Sequence, residues 1–210
     1  MLTIYGVYRS RTAWTIWMML ELGVQFRHVP IVPAYRVKDL QAPDAPPHSM
    51  SAEFREINPS GKVPVVVDGD LVMHQSLAIN LYLAKKHGGP LAAASLQEEA
   101  LLAQWSLWVV NEVEPRLIVI LEHRMMLPEG ERDPALADAA WAKLQKPFGV
   151  LEQMLTDRDY LVGNRFTVAD LNVSIVMSLI NRLQLDITRY PNVRAWLDTC
   201  LGRPAAKGYA

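Results

Sequence analysis

The stretch Asn58-Pro59-Ser60-Gly61-Lys62-Val63-Pro64-Val65-Val66-Val67-Asp68-Gly69-Asp70, continuing through Leu71-Val72-Met73-His74-Gln75-Ser76 to Leu83, decides the fold. Val63–Val67 is rich in β-branched residues and reads as a strand. Asp68-Gly69-Asp70 is a hairpin turn, and Leu71–His74 is the strand that pairs back. Ser76 then offers a hydroxyl as the N-cap of a helix over Ser76–His87. Leu77, Ile79, Leu81, Tyr82 and Leu83 supply its apolar contacts, and Gly88-Gly89-Pro90 stops it.

Upstream of this stretch, strand and helix signals alternate. Leu2–Tyr5 reads as a strand ended by Gly6. Arg11–Leu22 carries Trp14, Trp17, Met18 and Leu22 at helical spacing, and Gly23 ends it as a C-cap. Gln25–Val32 reads as a second strand. Pro33–Met50, with Pro43, Pro46 and Pro47, is long for a connection and marks a functional or mobile loop. Ser51–Ile57 is one or two helical turns. The order is β-α-β, a loop, then α-β-β-α. Residues 95–210 carry almost no strand signal. Leu101, Trp105 and Trp108 are expected on one helical face. Pro115 is expected to bend that helix, because Leu117–Leu121 resumes at once. Further helices are expected over Asp133–Leu155, interrupted at Pro147, over Val168–Leu183 and over Pro191–Leu201. The chain therefore reads as an α+β protein: a mixed domain over 1–87, a linker over 88–94 and an all-helical domain over 95–210.

Composition narrows the function. The 210 residues are 50% hydrophobic and 20% charged, with net charge −1. That apolar content excludes a disordered chain, and the charge balance argues against a nucleic-acid partner. No apolar run approaches the ~18–20 residues of a membrane span. The first residues lack the basic and apolar regions of a secretory signal. Cys200 is the single cysteine, so neither an intrachain disulfide nor a Cys-rich metal site is available. It lies among Leu197 and Leu201 and reads as an inert buried thiol in a reduced, cytoplasmic compartment. Residues 1–87 hold nine basic and seven acidic side chains, against twelve and fifteen in the remainder. A slightly positive first half suits an anionic ligand there.

The quoted stretch resembles the glutathione-binding half of a cytosolic glutathione transferase: an NPxGKVP pattern, a short hairpin, an acidic or amide residue before serine, then an AIxxYL helix. The segment Tyr5-Gly6-Val7-Tyr8-Arg9-Ser10-Arg11, the helix ending Glu21-Leu22-Gly23, and Phe166-Thr167-Val168-Ala169-Asp170 fit the same pattern. Within the family the chain is most similar to bacterial members that use serine. The resemblance implies a thioredoxin-like N-terminal domain followed by an all-α domain, glutathione as co-substrate, no metal, and a homodimer. The implied activity is conjugation of glutathione to small hydrophobic electrophiles, a detoxification reaction.

The residue types suit that chemistry. A free thiol has a pKa of ~8.5, and only its thiolate attacks an electrophile well. Lowering that pKa by ~2 units takes ~2.7 kcal/mol of preferential thiolate stabilisation. A helix N-terminus and one charge-assisted hydrogen bond supply about that much. Ser10, where the first helix starts, is the expected activating residue; its plainer reading is an N-cap, and Tyr5 and Tyr8 are rivals as phenol donors. Tyr5 lies within a strand, which favours a structural role. Arg9 and Arg11 flank the site and add positive potential.

Val63 and Pro64 match the family's pair at a strand edge, where a cis-proline presents the preceding residue's backbone to the cysteinyl backbone of glutathione; the sequence leaves the isomer open. Gln75 is expected to accept from the γ-glutamyl ammonium, and the N–H groups at Ser76 to hold the γ-glutamyl carboxylate. The long loop offers Arg36, Lys38 and His48 for the glycyl carboxylate, with His48 ranked slightly above Lys38. An electrophile pocket is expected between the halves, lined by Val7, Tyr8 and the helix from Trp105 to Glu122, with Trp108, Asn111, Glu112 and Pro115 facing it. Thr167 and Asp170 form a capping box and Phe166 a staple toward Leu171, a folding device. The alternatives are a glutathione-dependent peroxidase or isomerase and a non-catalytic ligand-binding protein of the same fold. A thiol–disulfide oxidoreductase is disfavoured because no cysteine lies near the first helix, and a nucleotide site for want of a glycine-rich phosphate loop.

Overall fold

The valine run forms the inner part of a four-stranded sheet. In the computed structural model, which describes residues 1–208, β1 (Thr3–Tyr5), β2 (Arg27–Val29), β3 (Val65–Asp68) and β4 (Leu71–His74) take the order β2-β1-β3-β4. β1 pairs parallel with β2, across the helix α1 (Thr12–Leu22), and antiparallel with β3. β3 and β4 form the expected hairpin, closed at Gly69 with φ +61°. Tyr5 and Val65 share a face with Phe54 of α2 (Ala52–Ile57), whose helix is capped by the Ser51 hydroxyl. Ile4 and Val66, one residue on, point to the other face by the alternation of a strand. There α1 and α3 (Ser76–His87) pack on one another around the buried Ile16, Trp17, Met18, Ile79 and Leu83.

The chain divides into two compact units: Met1–His87 joined by the chain from Pro204 onward, and Gly88–Arg203. The tail returns to the first unit through α10 (Pro204–Lys207), which packs on α1.

The second unit is helical. α4 (Leu96–Trp108) runs through a π-helical turn, Val109–Val113, into α5 (Glu114–Leu121). Pro115 breaks the hydrogen-bond ladder without ending the helical run, which passes it through the π-helical turn. It has no N–H for the Asn111 carbonyl, and that oxygen instead accepts from Arg116 Nη1 at 2.5 Å. The Glu114 N–H reaches five residues back to Val109 O, the ring that defines the bulge. On α4 the buried face is Leu102 and Trp105, whereas Leu101 stays exposed, a correction by one position. α6 (Pro134–Met154) continues through Pro147 where an interruption is expected. Leu144, Phe148 and Leu151 are fully buried around that proline, and Phe148 meets Trp141 and Tyr190 edge-on. Their packing outweighs the ~3 kcal/mol that an interior proline costs. The single helix expected over Val168–Leu183 divides into α7 (Val168–Met177) and α8 (Leu179–Arg182). Between them Ser178 donates to Ile175 O at 2.6 Å, a side-chain bond that competes with the helical ladder. α7 is buried along its whole length, as the central helix of this unit must be, and α9 (Pro191–Leu201) packs beside it.

Glu98 ties the start of α4 to the residue before Phe166. Its carboxylate accepts from Arg165 Nη2 at 2.6 Å and from the Ala94 N–H at 2.7 Å. The Arg165 hydrogen bond is the chief reason its pKa falls from 4.5 to about 2. Because the folded value is the lower one, this group's stabilisation is complete above pH 4.5 and is lost as pH falls toward 2. Both side chains keep a fifth or more of their surface in solvent, which screens the effect. Glu98→Gln is therefore expected to lower neutral stability modestly and to leave stability at the acid end near that of wild type, so that the acid limb flattens. Denaturant unfolding at neutral pH and in that acid window checks it; an unchanged acid limb would sink the assignment.

Candidate active site

The register of the sheet gathers the predicted residues. Val29, Tyr5, Val65 and His74 stand side by side in one row across the four strands. With ~4.8 Å between strands the row spans about 14 Å. β1 leaves this row toward Ser10, β2 leaves it into the loop that holds Lys38, β3 enters it from Val63-Pro64, and β4 leaves it into Gln75-Ser76. Four segments far apart in sequence thus meet at one end of one sheet.

Ser10 stands two residues before α1, with Arg11 at the cap position. Its hydroxyl donates toward Val7 O at 2.7 Å and Thr12 Oγ1 at 2.9 Å, and accepts from the Thr12 N–H at 3.1 Å. Arg11, and not Ser10, thus holds the cap, which has no side-chain hydrogen bond; the Ser10 hydroxyl makes a local turn onto the first helical N–H, and its oxygen sits just before the N-terminal end of α1, where the helix dipole favours negative charge. Tyr5 packs on Phe54, centroids 6.3 Å apart. Tyr8 is exposed and meets His28 edge-on at 5.1 Å. The Arg11 guanidinium lies over Trp14, 5.5 Å from the ring centroid.

The Val63-Pro64 peptide bond is cis. β3 begins only at Val65, and the backbone N–H and C=O of Val63 take no hydrogen bond from the described residues. The preceding turn is built by Asn58, buried, which donates from Nδ2 to Lys62 O at 2.8 Å and accepts at Oδ1 from the Ser60 N–H and hydroxyl.

Gln75, and not Ser76, holds the cap position of α3. Its carbonyl accepts the first helical bond, from Ile79 N at 2.9 Å, and Ser76 is the first helical residue, buried. Gln75 has φ +75°, a backbone region that costs a side-chain-bearing residue ~1–3 kcal/mol. Such strain concentrates where a side chain must be aimed, and Gln75 is exposed at the helix N-terminus.

His48 is drawn into its own loop and is not a solvated side chain. It is buried, its Nδ1 accepts from the Met50 N–H at 3.3 Å, and its Nε2 faces Leu40 O at 3.2 Å. With Nδ1 accepting, Nε2 carries the hydrogen and donates, so both ring nitrogens are spent on the loop. Lys38 is exposed. Lys62 was missed by the sequence reading; it is exposed and adjoins Val63, a position that the chain order already provides. In the second unit Trp108 meets Trp105 edge-on at 5.1 Å, while Asn111, Glu112 and Pro115 are exposed along the bulge.

Each unit holds a cavity. One of about 780 Å³ is lined by Asp157, Tyr160, Asn192 and Trp196, and one of about 550 Å³ by Tyr5, Ile31, His48 and Phe54. Among the described residues no group of three or more His, Cys, Asp or Glu is placed to hold a metal, and no helix is long and apolar enough to cross a membrane.

A mixed β2-β1-β3-β4 sheet, with the free Val63 backbone and the N-termini of α1 and α3 at the same end, defines a thioredoxin-like unit, and the second unit is helical. Residues 4–91 match the glutathione S-transferase N-terminal domain and residues 115–204 the C-terminal domain. Glutathione S-transferase 1 of Zea mays is 34% identical over 165 residues, 76% of this chain and 77% of that protein. The theta class glutathione S-transferase of Xanthomonas axonopodis pv. citri, solved with glutathione bound, superposes with a TM-score of 0.85 at 25% identity, covering 99% of this chain and 95% of that one. A glutathione S-transferase-I structure holding lactoylglutathione superposes at 0.83 and 28%, covering 100% and 98%. The chain belongs to the glutathione S-transferase family.

Proposed function

We propose that this protein binds glutathione across its first unit and conjugates the thiolate to small hydrophobic electrophiles. The observation that carries the reading is the shared row of Val29, Tyr5, Val65 and His74, from which Ser10, Lys38, Val63 and Gln75 all depart at one end of the sheet. In this reading the Ser10 hydroxyl donates to the sulfur, with the N-terminus of α1 behind it, in serine-type activation. The Val63 N–H and C=O pair with the cysteinyl backbone of glutathione beside Pro64. Gln75 Oε1 accepts from the γ-glutamyl ammonium, and the first N–H groups of α3 around Ser76 hold the γ-glutamyl carboxylate. Lys38 or Lys62 meets the glycyl carboxylate, and Arg11 adds positive potential. Tyr8, Trp108, Asn111, Glu112 and Pro115 are proposed to meet the electrophile. By analogy with the family, the protein acts in the cytoplasm as a detoxifying homodimer.

Titration calorimetry with glutathione, paired with ultraviolet detection of its thiolate, tests the reading. The expected result is saturable heat with thiolate appearing well below the free thiol's ~8.5. Absence of heat from well-folded protein overturns it. Binding without a shifted thiolate band supports a ligand carrier instead.

A further inference from the structure

Ser10 carries one hydrogen and faces two acceptors, Val7 O at 2.7 Å and Thr12 Oγ1 at 2.9 Å. Thr12, the first residue of α1, is fully buried. Its hydroxyl rests against Gly6, where a Cβ would stand 1.9 Å from Thr12 Oγ1. Gly6 is pinned in turn: its N–H donates to Val29 O at 3.0 Å and its carbonyl stands 2.7 Å from His28 Nε2. The backbone there, with φ +134°, is one that only glycine adopts readily. Thr12 is thus held by the chain that precedes the site, with its hydroxyl directed at Ser10.

We propose that Thr12 is a positioning residue for Ser10. In the unliganded geometry Ser10 can spend its hydrogen on Val7 O. When it turns that hydrogen to a bound thiolate, the Thr12 hydroxyl, which has a proton of its own, donates to Ser10 Oγ. Ser10 Oγ then accepts from the Thr12 N–H and the Thr12 Oγ1–H and donates once, to sulfur, which fills its hydrogen-bonding capacity. A hydroxyl that accepts such bonds is polarised into a stronger donor. Thr12 acts on the sulfur only through Ser10, and the inference rests on the reading of Ser10 given above.

The test is the pKa of protein-bound glutathione, read from thiolate absorbance, in the wild-type protein, Thr12→Val, Thr12→Ser, Ser10→Ala and the Ser10→Ala/Thr12→Val pair. Thr12→Val is expected to raise the thiol pKa by about half to one unit, an about three- to tenfold loss of thiolate at neutral pH, with glutathione affinity held within about twofold. Thr12→Ser keeps the wild-type pKa. In the Ser10→Ala background Thr12→Val adds no further shift. Should the valine variant not fold, Thr12→Ala carries the same prediction. An unmoved pKa in Thr12→Val, failure of Thr12→Ser to retain it, or an equal shift without Ser10 overturns the role of Thr12. If Ser10→Ala shifts the pKa and Thr12→Val does not, only Thr12 loses its role. If Ser10→Ala shifts nothing, the reading of Ser10 falls and Thr12's with it.

Discussion

Replacing Asp170 with alanine is expected to destabilise the helical unit by about 4 kcal/mol, a large share of the ~5–15 kcal/mol that holds a domain folded. Asp170 has no exposed surface, and burial pushes its carboxyl pKa up. Four donors converge on it. Oδ1 accepts from the Leu161 N–H at 2.9 Å and the Trp196 indole at 3.0 Å, and Oδ2 from the Thr167 N–H and hydroxyl, each at 2.9 Å. One side chain therefore closes the capping box of α7, anchors the loop before it and fastens α9. Alanine would leave those donors buried without partners, at ~1–3 kcal/mol each before relaxation. At ~2–4 °C per kcal/mol the melting temperature should drop by about 8–16 °C. Asp170→Asn should also fail to rescue, because its amide nitrogen presents a donor where two donors already point. Thermal unfolding followed by circular dichroism measures both; a variant melting within about 2 °C of wild type would remove Asp170 from the folding account.

Ser10→Ala carries the second large effect, on catalysis and not on stability. A hydrogen bond to a charged sulfur is worth ~1.5–3 kcal/mol, so its loss should raise the bound thiol pKa by about one to two units. The rate at neutral pH then falls about ten- to a hundredfold, and the pH–rate profile moves to alkaline values by the same interval. At pH above the raised pKa much of the rate should return, since the thiolate then forms without help. Loss of the hydrogen bond from the Thr12 N–H costs ~1 kcal/mol of stability, too little to unfold the protein. An unchanged profile rejects Ser10 as the donor, and a shift produced by Tyr8→Phe instead would pass the role to the phenol.

Much of the fold was legible without coordinates, because local rules and tertiary packing agree there. The helices over Ser76–His87 and Pro191–Leu201 appear with the expected bounds, and the hairpin appears with its first strand moved from Val63–Val67 to Val65–Asp68, so that Asp68 pairs with Leu71 and Gly69-Asp70 makes the turn. That the helical run continues past Pro115 was readable too, and the structure accommodates the missing N–H with a π-helical turn. Pro147 and Ser178 ran against expectation for opposite reasons. Packing around Phe148 carries a helix across a proline, and one hydroxyl bonding backward divides a helix that has no breaker in it.

For the site, residue types and chain order sufficed to nominate Ser10, Val63, Pro64, Gln75 and Ser76, since a turn motif and helix-start signals are properties of neighbours in sequence. Tertiary structure decided what those nominations mean physically. It folded His48 into its own loop, gave Gln75 the strained cap of α3, and set Thr12 against Ser10 through the space that Gly6 leaves. Each depends on which long-range partner completes a hydrogen bond or fills a gap, and that is settled only when strands pair and helices pack.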